Sequence, residues 1–341
     1  KKMKEIRIGL VGAGRMGSFH GRTVARKIYE AKLNAIADPV SGSAERLAKE
    51  LGVSKAYTDP KEMFQDPDID AVVIAAPARS HADLVVAAAN AGKAVFCEKP
   101  MAITLEEADK AILAAQNANV PLQVGFNRRF ASDFRAAYNN IVKGRIGIPQ
   151  LLRSLTRDPG LGDPTPIPEW TIFLETLIHD FDTLLYLNPG AEPIEVYAVA
   201  DALVRPDFKD KGLLDTAVVN IRFDNGAIAT AEANFQAVYG YDVRGEVFGS
   251  AGMVIAGGAQ QTNMIRYTSE GISRDTYRRD TELLHDAYVA ELTSFVECVR
   301  NGSTPYVTGN DARRALSIAL ACIESVKTNA PVKIKESVQL I

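Results

Sequence analysis

Over the first 126 residues, apolar blocks alternate with amphipathic ones in a rhythm that predicts strand, helix, strand, helix. Residues 6–11 form a short apolar run, followed by a glycine-rich turn and an amphipathic segment. A second apolar run ends at Ala37, and the helix pattern after it stops at Gly52. Asp59, Pro60 and Glu62 supply an N-cap, a first-turn proline and an N3 glutamate. Residues 71–75 are unbroken apolar, as in a strand covered on both faces. Ser80 and Asp83 open a helix that ends at Gly92, and the run 94–97 reads as the next strand. Thr104 with Glu107 predicts a capping box for a helix to about Ala118, and the last strand closes near Phe126. Such alternation predicts an α/β domain, a doubly wound parallel sheet covered by helices.

Beyond residue 126 the texture changes. Pro159, Pro164, Pro166 and Pro168 mark an ordered loop, and an apolar helical face runs from Phe173 to Leu185. Four strand-like runs follow, at 194–201, 216–223, 227–235 and 243–249, with Asp224-Asn225-Gly226 as a hairpin turn between two of them. Consecutive strands on short turns predict an antiparallel sheet in an α+β domain. Two long helices, over 286–300 and 310–328, finish the pattern. The expected division is 1–126 for nucleotide binding and 127–341 for substrate and oligomerisation, with the last helices able to pack back on the first domain.

The chain has 341 residues, enough for two domains. It is 47% hydrophobic and 24% charged with a net charge of −3, and it lacks a basic block, so nothing favours nucleic acid or an anionic membrane. No run approaches the roughly 18 apolar residues of a membrane helix, and the N-terminal stretch lacks a signal-peptide core. Cys97, Cys298 and Cys322 are odd in number and far apart, which suits reduced thiols in a cytoplasmic protein rather than a disulfide frame or zinc cluster.

The candidate chemistry begins at Gly12-Ala13-Gly14-Arg15-Met16-Gly17. Between a strand and a helix, this spacing binds a dinucleotide pyrophosphate: Gly12 makes the turn, Gly14 admits the phosphates, and Gly17 lets the helix pack closely. Asp38 ends the second strand, where a carboxylate accepts ribose hydroxyls and disfavours a 2′-phosphate, so the expected cofactor is NAD. Ligands of such sheets lie beyond the strand ends. That singles out Ala76, Pro77 and His81 after one strand and Glu98-Lys99-Pro100 after the next. His81 is open to two readings, pocket wall or helix-cap surface. Lys99, flanked by Glu98 and proline, points a cation toward the nicotinamide position. Glu175 and His179 are four apart on a predicted helix, suited to a base and its supporting carboxylate. A helix-face ion pair or a zinc site remains an alternative for that pair. Asn127, Arg128 and Arg129 follow the last strand, where one arginine is expected to bind substrate and the other a structural carboxylate. Tyr239 and Tyr241 each offer a phenol or plain sheet packing.

Together, GAGRMG at 12–17, EKP at 98–100 and HDFD at 179–182 resemble the Gfo/Idh/MocA oxidoreductases. GFNRRF, the TRDP ending at Pro159, IHDFD and YGYDVRGEVFGSAGM at 239–253 resemble the inositol dehydrogenase branch of that family. The resemblance covers nearly the whole chain. It implies a Rossmann domain joined to an α/β domain with a large open antiparallel sheet, and a homotetramer built through that sheet. It implies NAD-dependent oxidation of a ring hydroxyl of a cyclic polyol or sugar, most closely myo-inositol, with Lys99 positioning the hydroxyl, His179 as base and Glu175 in support. Asn127, Arg129, Asp158 and Tyr239 are the implied substrate neighbours. Glu175 stands where aspartate is common, and Thr171 and Ile172 where many relatives carry glycine. That leaves scyllo-inositol or an aldose open as substrate, and a non-catalytic NAD(P)-binding sensor as the contrasting class.

Overall fold

The computed structural model describes residues 5–334 and divides into two compact units. Among the described residues, one unit contains 5–127 together with Asp286–Leu316; the other contains Arg128–His285 and 317–334.

In the first unit the order is β1 (Ile6–Val11), α1 (Arg15–Lys27), β2 (Ala31–Ala37), α2 (Ser43–Leu51), β3 (Lys55–Tyr57), α3 (Pro60–Phe64), β4 (Ala71–Ile74), α4 (His81–Asn90), β5 (Ala94–Cys97), α5 (Leu105–Asn117) and β6 (Leu122–Val124). The six strands pair in parallel in the order β3-β2-β1-β4-β5-β6. Strand order reverses between β1 and β4, which opens a crevice at their carboxyl ends. The caps behave as their residue types dictate. Asp59 accepts from the Lys61 N–H at the start of α3, and Thr104 and Glu107 complete a reciprocal box at α5.

The second unit runs α6 (Ser132–Val142), β7 (Pro149–Arg157), α7 (Leu177–Tyr186), β8 (Pro193–Asp201), β9 (Thr216–Phe223), β10 (Ile228–Asn234), β11 (Asp242–Gly249), β12 (Gly252–Gly258), β13 (Gln260–Thr268), β14 (Gly271–Thr276) and α8 (Asp280–Leu283). It is followed by α9 (His285–Asn301), α10 (Gly309–Thr328) and β15 (Val332–Lys333). Leu292, Phe295 and Val296 of α9 lie in the first unit's core with Ile8, Leu10 and Phe96, and each such fully buried side chain contributes about 1.5–3 kcal/mol.

The second unit's sheet has the order β12-β11-β7-β10-β9-β8-β15. It is mixed rather than wholly antiparallel, because β7 pairs in parallel with β10 while the other neighbours are antiparallel. The cause is connectivity. The chain leaves β7 through the proline-rich stretch and α7 before it begins the run of hairpins, so β7 enters the sheet from a crossover. Along β9, Ala217, Val219, Ile221 and Phe223 point into the core while Val218 and Arg222 face out. β13 and β14 form a separate two-stranded ribbon.

Candidate active site

The first unit offers a nucleotide cradle made chiefly of backbone. Gly12 has φ +97°, and a Cβ there would collide with the Ala75 carbonyl at the end of β4. A Cβ at Gly17 would run into the Gly12 carbonyl, so only glycine lets α1 sit this close to the turn. Gly14 is the N-cap of α1, is exposed, has open space where a Cβ would stand, and makes no side-chain cap. The first N–H groups of α1, flanked by exposed Arg15 and half-buried Met16, therefore suit an anion. Asp38, nearly buried, accepts from the Ala13 N–H at 2.7 Å and the Val40 N–H at 2.8 Å. Its carboxylate is thus fixed at the carboxyl end of β2, beside the turn, with lone pairs remaining for ribose hydroxyls. These features fit a dinucleotide.

Lys99 sits on the turn after β5, half-buried, with a cis peptide to Pro100. The turn is braced from two sides. His81 is buried rather than on the surface, and its ring nitrogens lie 2.7 Å from the Pro100 and Ala76 carbonyl oxygens. It is a tie between two strand-end loops, a role that neither earlier reading of His81 anticipated. Glu98 is also buried, and its oxygens face the His20 ring and the Lys99 N–H. Ala76 is half-buried and Pro77 exposed at the end of β4. Asn127 is buried, with an amide oxygen that has no donor among the described residues.

In the second unit, Glu175 lies in a π-helical turn, Ile172–Thr176, that runs directly into α7. Such wide turns re-aim side chains and recur at functional sites. Glu175 lines a cavity of about 450 Å³ with Asp158, Thr171, Thr176, Tyr241 and Arg279, walled by the proline-rich stretch. His179 is half-buried on α7, and the two carboxylates that follow it, Asp180 and Asp182, are fully buried. Arg128 donates to Asp180 at 2.9 Å, and Ser154 and Thr156 of β7 add hydrogen bonds of 2.6 Å. Arg129 forks onto Asp182 and lies over the Tyr186 ring. Both arginines are in buried ion pairs, Arg128 with Asp180 and Arg129 with Asp182.

Tyr241, not Tyr239, lines the cavity. The Tyr239 hydroxyl donates to Asp242 at 2.6 Å. Burial pushes the Tyr241 phenol well above its usual range, and the nearby Asp158 and Asp280 carboxylates push it further, so it is a neutral donor at physiological pH. Arg279 and Asp280 carry no such signal in the sequence, because whole strands separate them from Asp158 and Glu175. Glu175 and His179 belong to no cluster with metal-ligand spacing; among the described residues that spacing occurs at His20, Glu98 and Glu291.

Residues 6–126 match the Gfo/Idh/MocA oxidoreductase family's NAD-binding Rossmann fold, and residues 140–334 match its C-terminal alpha/beta domain. The chain belongs to the Gfo/Idh/MocA family. It is 38% identical to a myo-inositol 2-dehydrogenase of Thermotoga maritima over 97% of this chain and 99% of that protein. It is 37% identical to a scyllo-inositol 2-dehydrogenase (NAD(+)) of Bacillus subtilis over 97% of this chain and 96% of the other. Among solved structures, it superposes on a scyllo-inositol dehydrogenase of Lactobacillus casei, crystallised with NAD(H) and scyllo-inositol, with a TM-score of 0.93 and 32% identity over 97% and 99% of the two chains. Its first domain is the NAD-binding Rossmann domain of that oxidoreductase family.

Proposed function

We propose that this Gfo/Idh/MocA protein is an NAD-dependent inositol 2-dehydrogenase that oxidises one ring hydroxyl of myo-inositol to give 2-keto-myo-inositol. The observation that carries the reading is its likeness, over nearly the full length of both chains, to inositol 2-dehydrogenases. NAD supplies the hydride acceptor. Lys99 provides a preorganised cation for the negative charge that develops on the carbinol oxygen. His179 takes the hydroxyl proton, the general-base role that a histidine ring most often fills. Glu175, one turn earlier, favours the protonated ring. Asp158 accepts and Tyr241 donates hydrogen bonds to the remaining ring hydroxyls, and Asn127 offers its amide oxygen.

A second reading, scyllo-inositol as the preferred isomer, is favoured by near-equal identity to the Bacillus enzyme and by the Lactobacillus superposition. Absorbance of NADH, followed with NAD⁺ or NADP⁺ and a panel of inositols and hexoses, tests both. Fastest turnover of myo-inositol with NAD⁺ supports the first reading. A preference for scyllo-inositol supports the second. Silence on every polyol overturns both and leaves a sensor.

The same reading includes a homotetramer in the cytoplasm. It is supported by the outward face of the second unit's sheet, where Leu151, Val199, Val218, Ile228 and Ile255 are exposed. A patch of this kind suits an interface between copies. Light scattering should give the mass of four chains, and a monomer would refute this part.

A further inference from the structure

Behind the turn that carries Lys99, three ionisable side chains meet in the buried interior: His20 from α1, Glu98 after β5 and Glu291 from α9. One nitrogen or oxygen from each lies within 4.8 Å of the other two. The rings of Phe96 and Tyr288 meet that of His20 edge-on, with centroids 5.7 and 5.9 Å away. His20 Nε2 is 2.6 Å from Glu98 Oε1, and Glu98 Oε2 accepts from the Lys99 N–H at 3.2 Å. Gly125 leaves the space this carboxylate needs, since a Cβ there would stand 3.3 Å from Oε2. The α9 backbone is pinned at the same level, where Gln123 Nε2 donates to the Glu291 carbonyl at 2.8 Å.

Glu291 is the anomaly. It is wholly buried, and neither carboxylate oxygen has a donor among the described residues. An ionised carboxylate in that position would bear its desolvation cost with nothing to offset it. Protonated, the group needs an acceptor, and a Glu98 carboxylate oxygen lies within 4.8 Å of one of its own. The charged groups facing the pair are His20 on α1, Lys99 on the turn and His81 on α4. Burial drives the Glu291 carboxyl well above the usual carboxylate range, and the Glu98 charge adds to this. Burial alone would raise Glu98 too, but the His20 hydrogen bond and the charges of His20, Lys99 and His81 outweigh it, so Glu98 lies below the ordinary value.

We propose that Glu291 carries a proton that it donates to Glu98, and that Glu98, clamped between Glu291 and His20, sets the backbone at Lys99. His20 and Glu291 are then positioning residues, acting on the substrate oxygen only through Lys99. This rests on the reading of Lys99 given above.

Infrared difference spectra of wild type against Glu291→Gln, taken at neutral pH without substrate, read the proton directly. Wild type is expected to show the carbonyl stretch of an un-ionised carboxylic acid that the variant lacks. Absence of that band overturns the proposal, and this arm holds even if no polyol is turned over. In kinetics, Glu291→Gln keeps a neutral N–H donor, so its kcat and pH profile should match wild type. Glu291→Leu removes the donor, and its kcat should fall about 10- to 100-fold, the scale of a sub-ångström to 1 Å misplacement, with NADH affinity retained. A glutamine variant as impaired as the leucine variant, or a folded leucine variant with normal kcat, refutes the positioning role. A stoichiometric divalent metal in the wild type, lost in Glu291→Gln, also overturns it, because the same three ligand atoms would then be holding a cation.

Discussion

In the proposed reading, the groups of the first unit that would meet a dinucleotide are mostly main chain: the Gly12 turn, the N–H groups of α1, and loops held in place by Asp38 and His81. In the second unit the cavity is walled by side chains from the proline-rich stretch, the π-helical turn and the segment before α8, with Phe235 and Tyr241 between them. The two constructions answer different demands. A pyrophosphate and two riboses are the same in every turnover, and backbone geometry fixed by glycines holds them with little latitude. A polyol is chosen by the pattern of its hydroxyls, and a wall of separate side chains can be retuned one residue at a time.

The units also spend buried charge differently, which sets the largest expected effect. Asp180 is fully buried with Arg128, Ser154 and Thr156 as its donors. Asp180→Ala strands the Arg128 guanidinium in the interior and should lower stability by about 3–5 kcal/mol in urea unfolding. Next is Lys99→Ala, which removes the cation from the substrate oxygen. It should cut kcat by about 10²–10³-fold while NADH binding, measured by fluorescence, stays intact. An equal loss of NADH affinity would place Lys99 in the cofactor cradle instead.

In the first unit, the Asp66 carboxylate illustrates a shallower pair. Burial would raise its pKa, but hydrogen bonds from Lys55, the Asp68 backbone and Tyr57 win and hold it at about 2, against 3.8 ordinarily. A folded-state value below the unfolded one means stability that is complete above about pH 4 and is lost as the pH falls toward 2. Asp66→Asn should therefore cost about 2 kcal/mol at pH 7 and almost nothing at pH 2. Smallest is Asp38→Ser, expected to erode the preference for NAD⁺ over NADP⁺ by about tenfold, roughly one charge-assisted hydrogen bond. No change in the ratio of the two kcat/KM values would remove Asp38 from cofactor choice.

What could be read in advance follows the same divide. The glycine turn, Asp59 at α3, the Thr104 box and the hairpin at Gly226 are local patterns, and each appears where its residues dictate. β7 escaped the strand pattern because its inward positions include Ser154 and Thr156, polar residues placed to satisfy Asp180. β12, β13 and β14 are glycine-bearing or largely exposed, and lack the alternation that burial imposes. The widened turn at Glu175 leaves no mark in spacing, since a π-helical turn uses the same apolar residues as an α-helical one. His20 and Glu291 are separated by most of the chain, so their meeting at Glu98 is purely a product of topology.

The most direct test is a crystal structure of the protein with NADH and an unreactive inositol analogue bound together. The account predicts that Lys99 Nζ and a ring nitrogen of His179 both lie within hydrogen-bond reach of one hydroxyl, whose carbon faces the nicotinamide. A polyol bound with either group turned away from that hydroxyl would contradict it.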